Sequence, residues 1–343
     1  DLHSFPTRRS SDLNRSQIKW TRDLYNSAAK NRPIRYDAGA TYAGLYRPFC
    51  KQWLNASDGV IYLPAVLRRY FPTPAHDNLG FYVVGSGSDV PFSTLVTDSV
   101  PNLHVTGAGS GGQFFPRWTW EKVTGRHAAE DGGFDLAALQ RSEPPAVGTE
   151  GEVIGNYRRV DNITDATLRT YRAAYGPELE KADVFYYVYG LLHHPEYRSR
   201  YAADLKKSLP RIPLVATRED FAALATAGRG LADLHLDYEQ VELWPLAITV
   251  DGTELPWAQR SRIDPARLRV TKMRYAKTRI EGKRTDDKTA IVYNEHVTVS
   301  GIPERAQDYL LGSRSALDWL IDRYQVTKRF RSEERRVGKE CRS

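Results

Sequence analysis

Cysteine is nearly missing from this 343-residue chain, and long apolar runs and compact catalytic signatures are equally scarce. Of the two cysteines, Cys341 lies in a tail segment set aside below, which leaves Cys50. A lone thiol can neither close an intrachain disulfide nor anchor a Cys-rich metal site, and it fits a reducing cytoplasm. No stretch approaches the ~18 apolar residues of a membrane span, and no charged-then-apolar leader opens the sequence. A cytoplasmic protein with no membrane partner is expected.

The chemistry of cofactors and catalysis is also hard to find. A loop that holds a target amine for methyl transfer needs Asn or Asp before a Pro-Pro pair and an aromatic residue after it. The only such pair, Pro144-Pro145, sits in SEPPAV. No paired carboxylates with a following lysine mark a metal nuclease, although scattered acids such as Asp58 and Asp98 are present. Gly107, Gly109 and Gly112 satisfy G-x-G-x-x-G after the strand-like LHVT. A dinucleotide site needs a helix there to meet the pyrophosphate, yet QFFPRWTW follows, aromatic and broken by Pro116. A turn is the favoured reading, with a phosphate-contacting loop as the alternative. GSGSD (85–89) lacks the spacing of a nucleophile elbow, and no P-loop lysine follows it. His193 and His194 are adjacent and diverge on a helix, whereas zinc ligands must converge. As helix-end residues they suit the C-terminal dipole. No catalytic, metal or cofactor-binding residue is therefore assigned within this chain.

What is present begins with the ends. Asp1–Leu13 (DLHSFPTRRSSDL) and Arg331–Ser343 (RSEERRVGKECRS) look like one sequencing-adapter DNA translated on opposite strands, and both are read as non-native. The native protein is then expected to continue upstream of Asn14. The first segment carries two Arg and two Asp, the second five Lys/Arg against three Glu, so the formal charge of +7 becomes +5 without them. A modest positive excess favours an acidic partner such as nucleic acid.

From Asn14 to Asn31, Ile18, Leu24, Tyr25 and Ala28 among Lys and Arg read as a helix ended by Pro33. Short β-like runs follow (IRYD, GLYRPF, FYVVG, FSTLVTD, LHVT and FFPRWTWE), with one short helix around Val66, Leu67 and Tyr70. Gly and Pro punctuate these runs as they would an irregular antiparallel sheet. Residues 122–156 hold six Gly and the Pro-Pro pair and read as a linker or surface insertion. Helical signals take over after it. Thr164 can cap a helix through Tyr175, Asp183 can cap VFYYVYGLLHH, Pro195 opens EYRSRYAADLKKSL, and REDFAALATAGRGLADLHL makes a fourth. LRVTKMRYAK, KTRIEGKR and AIVYNEHVTVSGI, with an Asp-Asp pair and Gly between them, predict a three-stranded meander. Ser315 and Asp318 open a closing helix whose Leu317, Leu320, Ile321 and Tyr324 share a face. The fold class is thus α+β: a mixed lobe over 14–121, the linker 122–156, and a helical cluster plus meander over 157–330.

Two surfaces stand out as binding candidates. Residues 267–288 carry nine Lys/Arg against three acids. Strand alternation puts Lys272 and Arg274 on one face, and Lys277 and Arg279 likewise share one, with Arg284 nearby. Such a ribbon can contact phosphates, and Arg can read guanine bidentately, but a solvated outer face balanced by neighbouring acids has the same pattern. Phe114, Phe115, Arg117, Trp118 and Trp120 combine stacking surfaces with a cation after the glycine loop, and alternate members of the run can equally be core.

The order of these pieces resembles the C-terminal specificity domain of type ISP restriction-modification enzymes, single chains that join a nuclease, a helicase-like ATPase, an adenine methyltransferase and a target-recognition domain. The likeness rests on GLYRPFCKQWL (44–54), on PFSTLVTDSVPNLH (91–104) leading to GGQFFPRW, and most specifically on DNITDATLRTYRAAYG with DVFYYVYGLLHHPEYRSRYAADLKKSLPRIPL (161–214). AGRGLADLHLDYE and SALDWLIDRYQVT add to it. The resemblance implies recognition of double-stranded DNA, with upstream methyltransferase and ATPase domains of the same polypeptide as partners. It also implies S-adenosylmethionine, ATP and Mg2+ as cofactors of the parent and none in this chain. Lys272, Arg274, Lys277, Arg279 and Arg284 are the candidate phosphate or base contacts, with Arg117 and Trp118 as loop candidates. Phe185, Tyr187, Val188 and Leu191 are scaffold in this reading. The alternative is a non-catalytic scaffold that couples the methyltransferase to the ATPase motor.

Overall fold

A computed structural model describes residues 22–61, 64–107, 109–123, 148–270 and 272–324. Both adapter-like ends, the start of the first predicted helix and the interior of the Gly/Pro-rich segment lie outside the described residues.

The N-terminal half follows helix α1 (Arg22–Ala29) with strands β1 (Thr41–Arg47) and β2 (Cys50–Asn55), helix α2 (Pro64–Tyr70), and strands β3 (Gly80–Val83), β4 (Thr94–Thr97), β5 (Val100–Pro101), β6 (Gln113–Pro116), β7 (Trp118–Lys122), β8 (Val153–Ile154) and β9 (Tyr157–Asp161). These strands form three small sheets, ordered β2-β1-β5, β4-β3-β6 and β7-β9-β8. Pairing is antiparallel except where β5 runs parallel to β1. IRYD is not a strand: Asp37 accepts the Gly39 N–H at 2.8 Å and caps a 3-10 turn. LHVT is likewise a turn, opened by Asn102, whose side chain accepts the His104 N–H at 2.9 Å, and closed by Gly107 at φ 122°. FFPRWTWE divides at Arg117 into β6 and β7, which belong to different sheets.

The helices come next: α3 (Asp165–Tyr175), α4 (Lys181–His193), α5 (Pro195–Arg200), α6 (Ala202–Lys207) and α7 (Arg218–Leu236). Thr164 accepts the Thr167 N–H at 3.1 Å, which satisfies one of the donors that every helix start leaves free. Asp183 does not cap α4 from outside. It sits in the first turn and accepts the Glu180 N–H, while Glu180 occupies the cap in a reciprocal box. The predicted helix after Pro195 breaks at Tyr201 into α5 and α6. Helices α4 and α7 cross with backbones in close approach, because a β-carbon on Gly190 would overlap the Leu224 carbonyl and one on Gly228 the Tyr186 carbonyl.

Strands β10 (Ala247–Val250), β11 (Thr253–Leu255), β12 (Arg274–Ile280), β13 (Lys283–Val292) and β14 (Val297–Ser300) form an antiparallel sheet ordered β11-β10-β14-β13-β12. The predicted meander is therefore part of a five-stranded sheet. Asp286 and Asp287 lie within β13 and not between strands, since the ladder shifts there: Tyr275 faces Ile291, but Ala276 faces Asp287. A small hairpin of β15 (Leu310–Leu311) and β16 (Arg314–Ser315) leads into α8 (Ala316–Arg323), which Ser315 and Asp318 open with a capping box.

Strand β3 ties these parts together. Its side chains alternate between two cores, as a strand buried on both faces requires. Phe81 and Val83 pack with Val96 against Phe185, Tyr189 and Ala232 of α4 and α7. Tyr82, with Val84 just beyond the strand, packs with Leu45, Phe49, Leu95, Leu311 and Trp319. Trp319, absent from the predicted apolar stripe of α8, is its most deeply buried residue, while Leu317 and Ile321 of that helix pack on Tyr275 and Ile291 of the five-stranded sheet. Through α8 the cationic strands β12 and β13 are seated on the rest of the molecule.

Candidate nucleic-acid interface

Beyond the ladder shift, β13 leaves its pairing with β14, which involves only Ala290–Val292. Residues 276–287 therefore project from the sheet as a two-stranded ribbon. Its ladder runs Ala276↔Asp287, Lys277↔Asp286, Thr278↔Thr285, Arg279↔Arg284 and Ile280↔Lys283. Glu281 and Gly282 close it with positive φ at both positions (49° and 77°), the geometry of a type I′ hairpin turn, whose twist matches that of the strands. Directly opposed residues share a face, so Lys277, Arg279, Arg284 and Asp286 lie on one side of the ribbon and Thr278, Ile280, Lys283 and Thr285 on the other.

At the foot of the ribbon, a cleft of about 470 Å³ opens between β12, β13 and α8. Lys272, Arg274 and Lys277 line it, together with Lys288, Arg314 and three carboxylates. The acids are committed to particular bases. Asp318 accepts from Lys288 at 2.9 Å, Asp322 from Arg314 at 2.8 Å, and Asp286 pairs with Lys277. Burial works against the charged form of Lys288, but the bond to Asp318 and the adjacent Tyr275 outweigh it and hold its pKa above the ordinary value. The Lys288 ammonium also lies 3.8 Å from the centre of the Tyr275 ring. Asp318 is shifted the opposite way: burial raises it, and the Lys288 and Ser315 hydrogen bonds bring it below the usual carboxylate range.

Of the nine bases between 267 and 288, Arg267, Lys277 and Lys288 have carboxylate partners. Lys272, Arg274, Arg279 and Arg284 are exposed and make no ion pair among the described residues. The structure thus brings Lys272, Arg274 and Lys277 to one cleft and sets Arg279 and Arg284 side by side at the ribbon tip. Lys288 and Arg314 belong to the same surface. Arg314 had no signal in the sequence, because only the packing of α8 on β12 brings it within reach of residues forty positions earlier.

Arg117 and Trp118 lie elsewhere. The Arg117 guanidinium is buried against Asp161, with Nη2 donating to Oδ2 at 2.7 Å. Trp118 is half-buried, and the guanidinium carbons of Arg117 and Arg159 lie 4.7 and 5.3 Å from its ring centroid, so its π-surface is already engaged. Arg159, fully buried, also stacks on Trp120 and pairs with Glu152 and Asp77. The exposed aromatic of this run is Phe115.

The glycine loop and the histidine pair have internal roles. A β-carbon on Gly112 would overlap the Tyr82 ring, and the N–H groups of Gly85, Gly111 and Gly112 donate to Ser110, His104 and Leu103. Donors that a phosphate would need are thus turned inward. His193 is not a solvated helix end favoured by the dipole: burial dominates and pushes its pKa down to about 4. It lies against His235 and Tyr309 (ring centroids 5.9 and 6.3 Å). Among the described residues no group of three or more His, Cys, Asp or Glu could hold a metal ion, and no helix is long and apolar enough to cross a membrane.

Fold and surface together define a mixed α+β domain whose exposed chemistry is a cationic cleft continued by a cationic ribbon. The chain belongs to the family of the Type ISP C-terminal specificity domain, whose family model matches residues 4–338. Among solved structures it is similar to the ATP-dependent Type ISP restriction-modification enzyme LlaBIII bound to DNA (26% identity, TM-score 0.68, covering 92% of this chain and 17% of that one). It is similar also to a nuclease-deletion mutant of the Type ISP enzyme LlaGI in complex with a DNA substrate mimic (29%, 0.63, 91% and 19%) and to DrdV in a DNA complex (27%, 0.69, 93% and 27%). The chain spans between about one sixth and one quarter of the length of these proteins. A search of curated proteins gives no match.

Proposed function

We propose that this chain recognises a short sequence in double-stranded DNA as the target-recognition part of a restriction-modification enzyme that methylates adenine N6 and cleaves unmodified DNA. The observation that carries this reading is the set of four exposed cations on cleft and ribbon, Lys272, Arg274, Arg279 and Arg284, that have no carboxylate partner among the described residues, on a domain similar to proteins solved with DNA. Lys272 and Arg274 in the cleft are placed to hold backbone phosphates, and Lys277 can join them when a DNA phosphate displaces Asp286 from it. Phosphate contacts of this kind set register and most of the affinity without reading sequence. A two-stranded ribbon has the width that the ~12 Å major groove accepts, so Arg279 and Arg284 can reach into it. Arg117 and Trp118, spent on internal partners, act in this reading as supports for the N-terminal sheets and not as contacts.

The upstream methyltransferase and ATPase domains of the same polypeptide are the proposed partners, and the parent is proposed to act in the cytoplasm. S-adenosylmethionine, ATP and Mg2+ are assigned to those domains, because the inward-bonded glycine loop fits none of them. A methyltransferase reaches adenine N6 by flipping the base out of the duplex, so a recognition domain serves it by fixing which adenine lies at its pocket.

Fluorescence anisotropy with a labelled duplex tests the reading. Affinity is expected to fall steeply between about 50 and 200 mM salt, and each lost phosphate contact lowers the log–log slope by about 0.9. Lys272→Glu with Arg274→Glu is expected to weaken binding to all sequences. Flat salt dependence, or binding indifferent to that double reversal, would instead favour the scaffold that couples methyltransferase to ATPase.

A further inference from the structure

We infer that Arg279 and Arg284 are a guanine-reading pair, and that the ribbon they occupy carries base discrimination while the cleft below it carries phosphate binding. The inference rests on the DNA-recognition reading above and divides its labour. Its starting point is the register: Arg279 and Arg284 are directly opposed, on one face, at the last but one rung of the ribbon. Like charges so placed repel and weaken a strand pair. Two rungs toward the sheet the same face answers Lys277 with Asp286, and the cleft answers Lys288 with Asp318. At the tip no carboxylate pairs with either guanidinium among the described residues.

The mounting is as telling as the charge. Ribbon residues are exposed or half-buried, so none of the described residues covers the tip, and Ile280 beside it is 59% exposed. Five rungs at ~3.3 Å each carry the tip roughly 17 Å from the point where β13 parts from β14. The two-residue turn at Glu281-Gly282 fixes the strands to one another, while Tyr275 and Ile291, packed on Ile302, anchor the base of the hairpin. Two arginine forks thus project on a short, stiff element. Guanine presents N7 and O6 together in the major groove, and a guanidinium matches both at once, which a phosphate contact does not require. Lys272 and Arg274, which line the cleft at the foot of the ribbon, are placed for backbone contact instead.

Selection from a randomised duplex library with the full chain, followed by affinity measurement on the selected motif, tests this. The expected result is a motif with at least one guanine that Arg279→Lys or Arg284→Lys ceases to distinguish, although each variant keeps its charge. Discrimination at that position should drop by about 5- to 150-fold, with affinity for unselected duplex nearly unchanged. Replacing that guanine by 7-deazaguanine, which lacks the N7 acceptor, should weaken the unaltered chain and leave the matching lysine variant indifferent. Lys272→Ala should weaken binding evenly across sequences. If the lysine variants select the same motif with unaltered discrimination, the ribbon does not read guanine, and the DNA-recognition reading still stands. If the chain selects no motif and binds without salt dependence, that reading falls and this one with it.

Discussion

Arg117 and Asp161 form a buried bidentate pair at the seam between two sheets: Nε donates to both carboxylate oxygens at 3.3 and 3.1 Å and Nη2 to Oδ2 at 2.7 Å. Oδ1 of Asp161 also accepts the Ile163 N–H at 2.8 Å, so the pair joins the β6–β7 junction to the start of the helical cluster. Removing one partner strands the other charge out of water. Arg117→Ala and Asp161→Ala are each expected to cost roughly 3–5 kcal/mol in urea unfolding, and the double variant less than the sum of the two. Additive losses would show that the pair contributes nothing as a unit.

Acid should loosen the centre of the molecule. Burial pushes His193 down to about 4 and His235, beside it, down to about 3. Burial holds both neutral, against the pull of the bond that His193 Nδ1 donates to the Tyr189 carbonyl at 2.9 Å; the Tyr189 hydroxyl donates to His235 Nδ1 at 2.6 Å. Because their folded pKa values lie below the ordinary 6.5, stability is complete above pH 6.5 and declines as the unfolded chain takes up protons that the folded one refuses. The decline is roughly 1.4 kcal/mol per pH unit per histidine until pH approaches 4. Urea midpoints at pH 7 and pH 5 measure it, and a His193→Gln, His235→Gln variant should show a shallower slope.

Gly190 and Gly228 set the separation of α4 and α7. Any side chain there meets a carbonyl of the facing helix, which cannot swing aside as a side-chain tip could. Alanine at either position is expected to destabilise by about 1–3 kcal/mol through overpacking, despite its better helix propensity. An unchanged or raised Tm would mean that the helices separate freely.

Asp286 is the acid that shares the ribbon face of Lys277, Arg279 and Arg284. Asp286→Asn frees the Lys277 ammonium and removes a negative charge from the ribbon face. Affinity for duplex DNA is expected to rise by about fivefold at low salt, on the order of 1 kcal/mol, with a steeper salt slope. Weaker binding would point to Asp286 as a positioning residue or a base contact.

Local patterns were legible wherever one side chain settles one backbone choice. The limits of α7 (Arg218–Leu236), the Thr164 cap and the Ser315–Asp318 box are written in adjacent residues, because a helix start is satisfied by groups within one turn. The continuous apolar run at Phe81–Val84 was visible as strand, but not that its alternate residues serve two cores. IRYD and LHVT have strand composition yet turn, since Asp37 and Asn102 bond their own backbone. The density of cations between 267 and 288 was equally plain. Which of them are neutralised was not, because Asp251 and Asp318 come from other elements.

By itself, the amino-acid order determined the α+β class, the helical cluster, the hairpin-forming strands and the charge they carry, since propensity, capping and alternation act over a few residues. Only tertiary structure decided that Arg117 is spent on Asp161, that α8 walls a cleft beside β12, and that Arg279 and Arg284 stand at the end of a ribbon with no carboxylate partner among the described residues. Those outcomes depend on which distant groups share a low-dielectric interior or an exposed edge, and no local pattern encodes that distance.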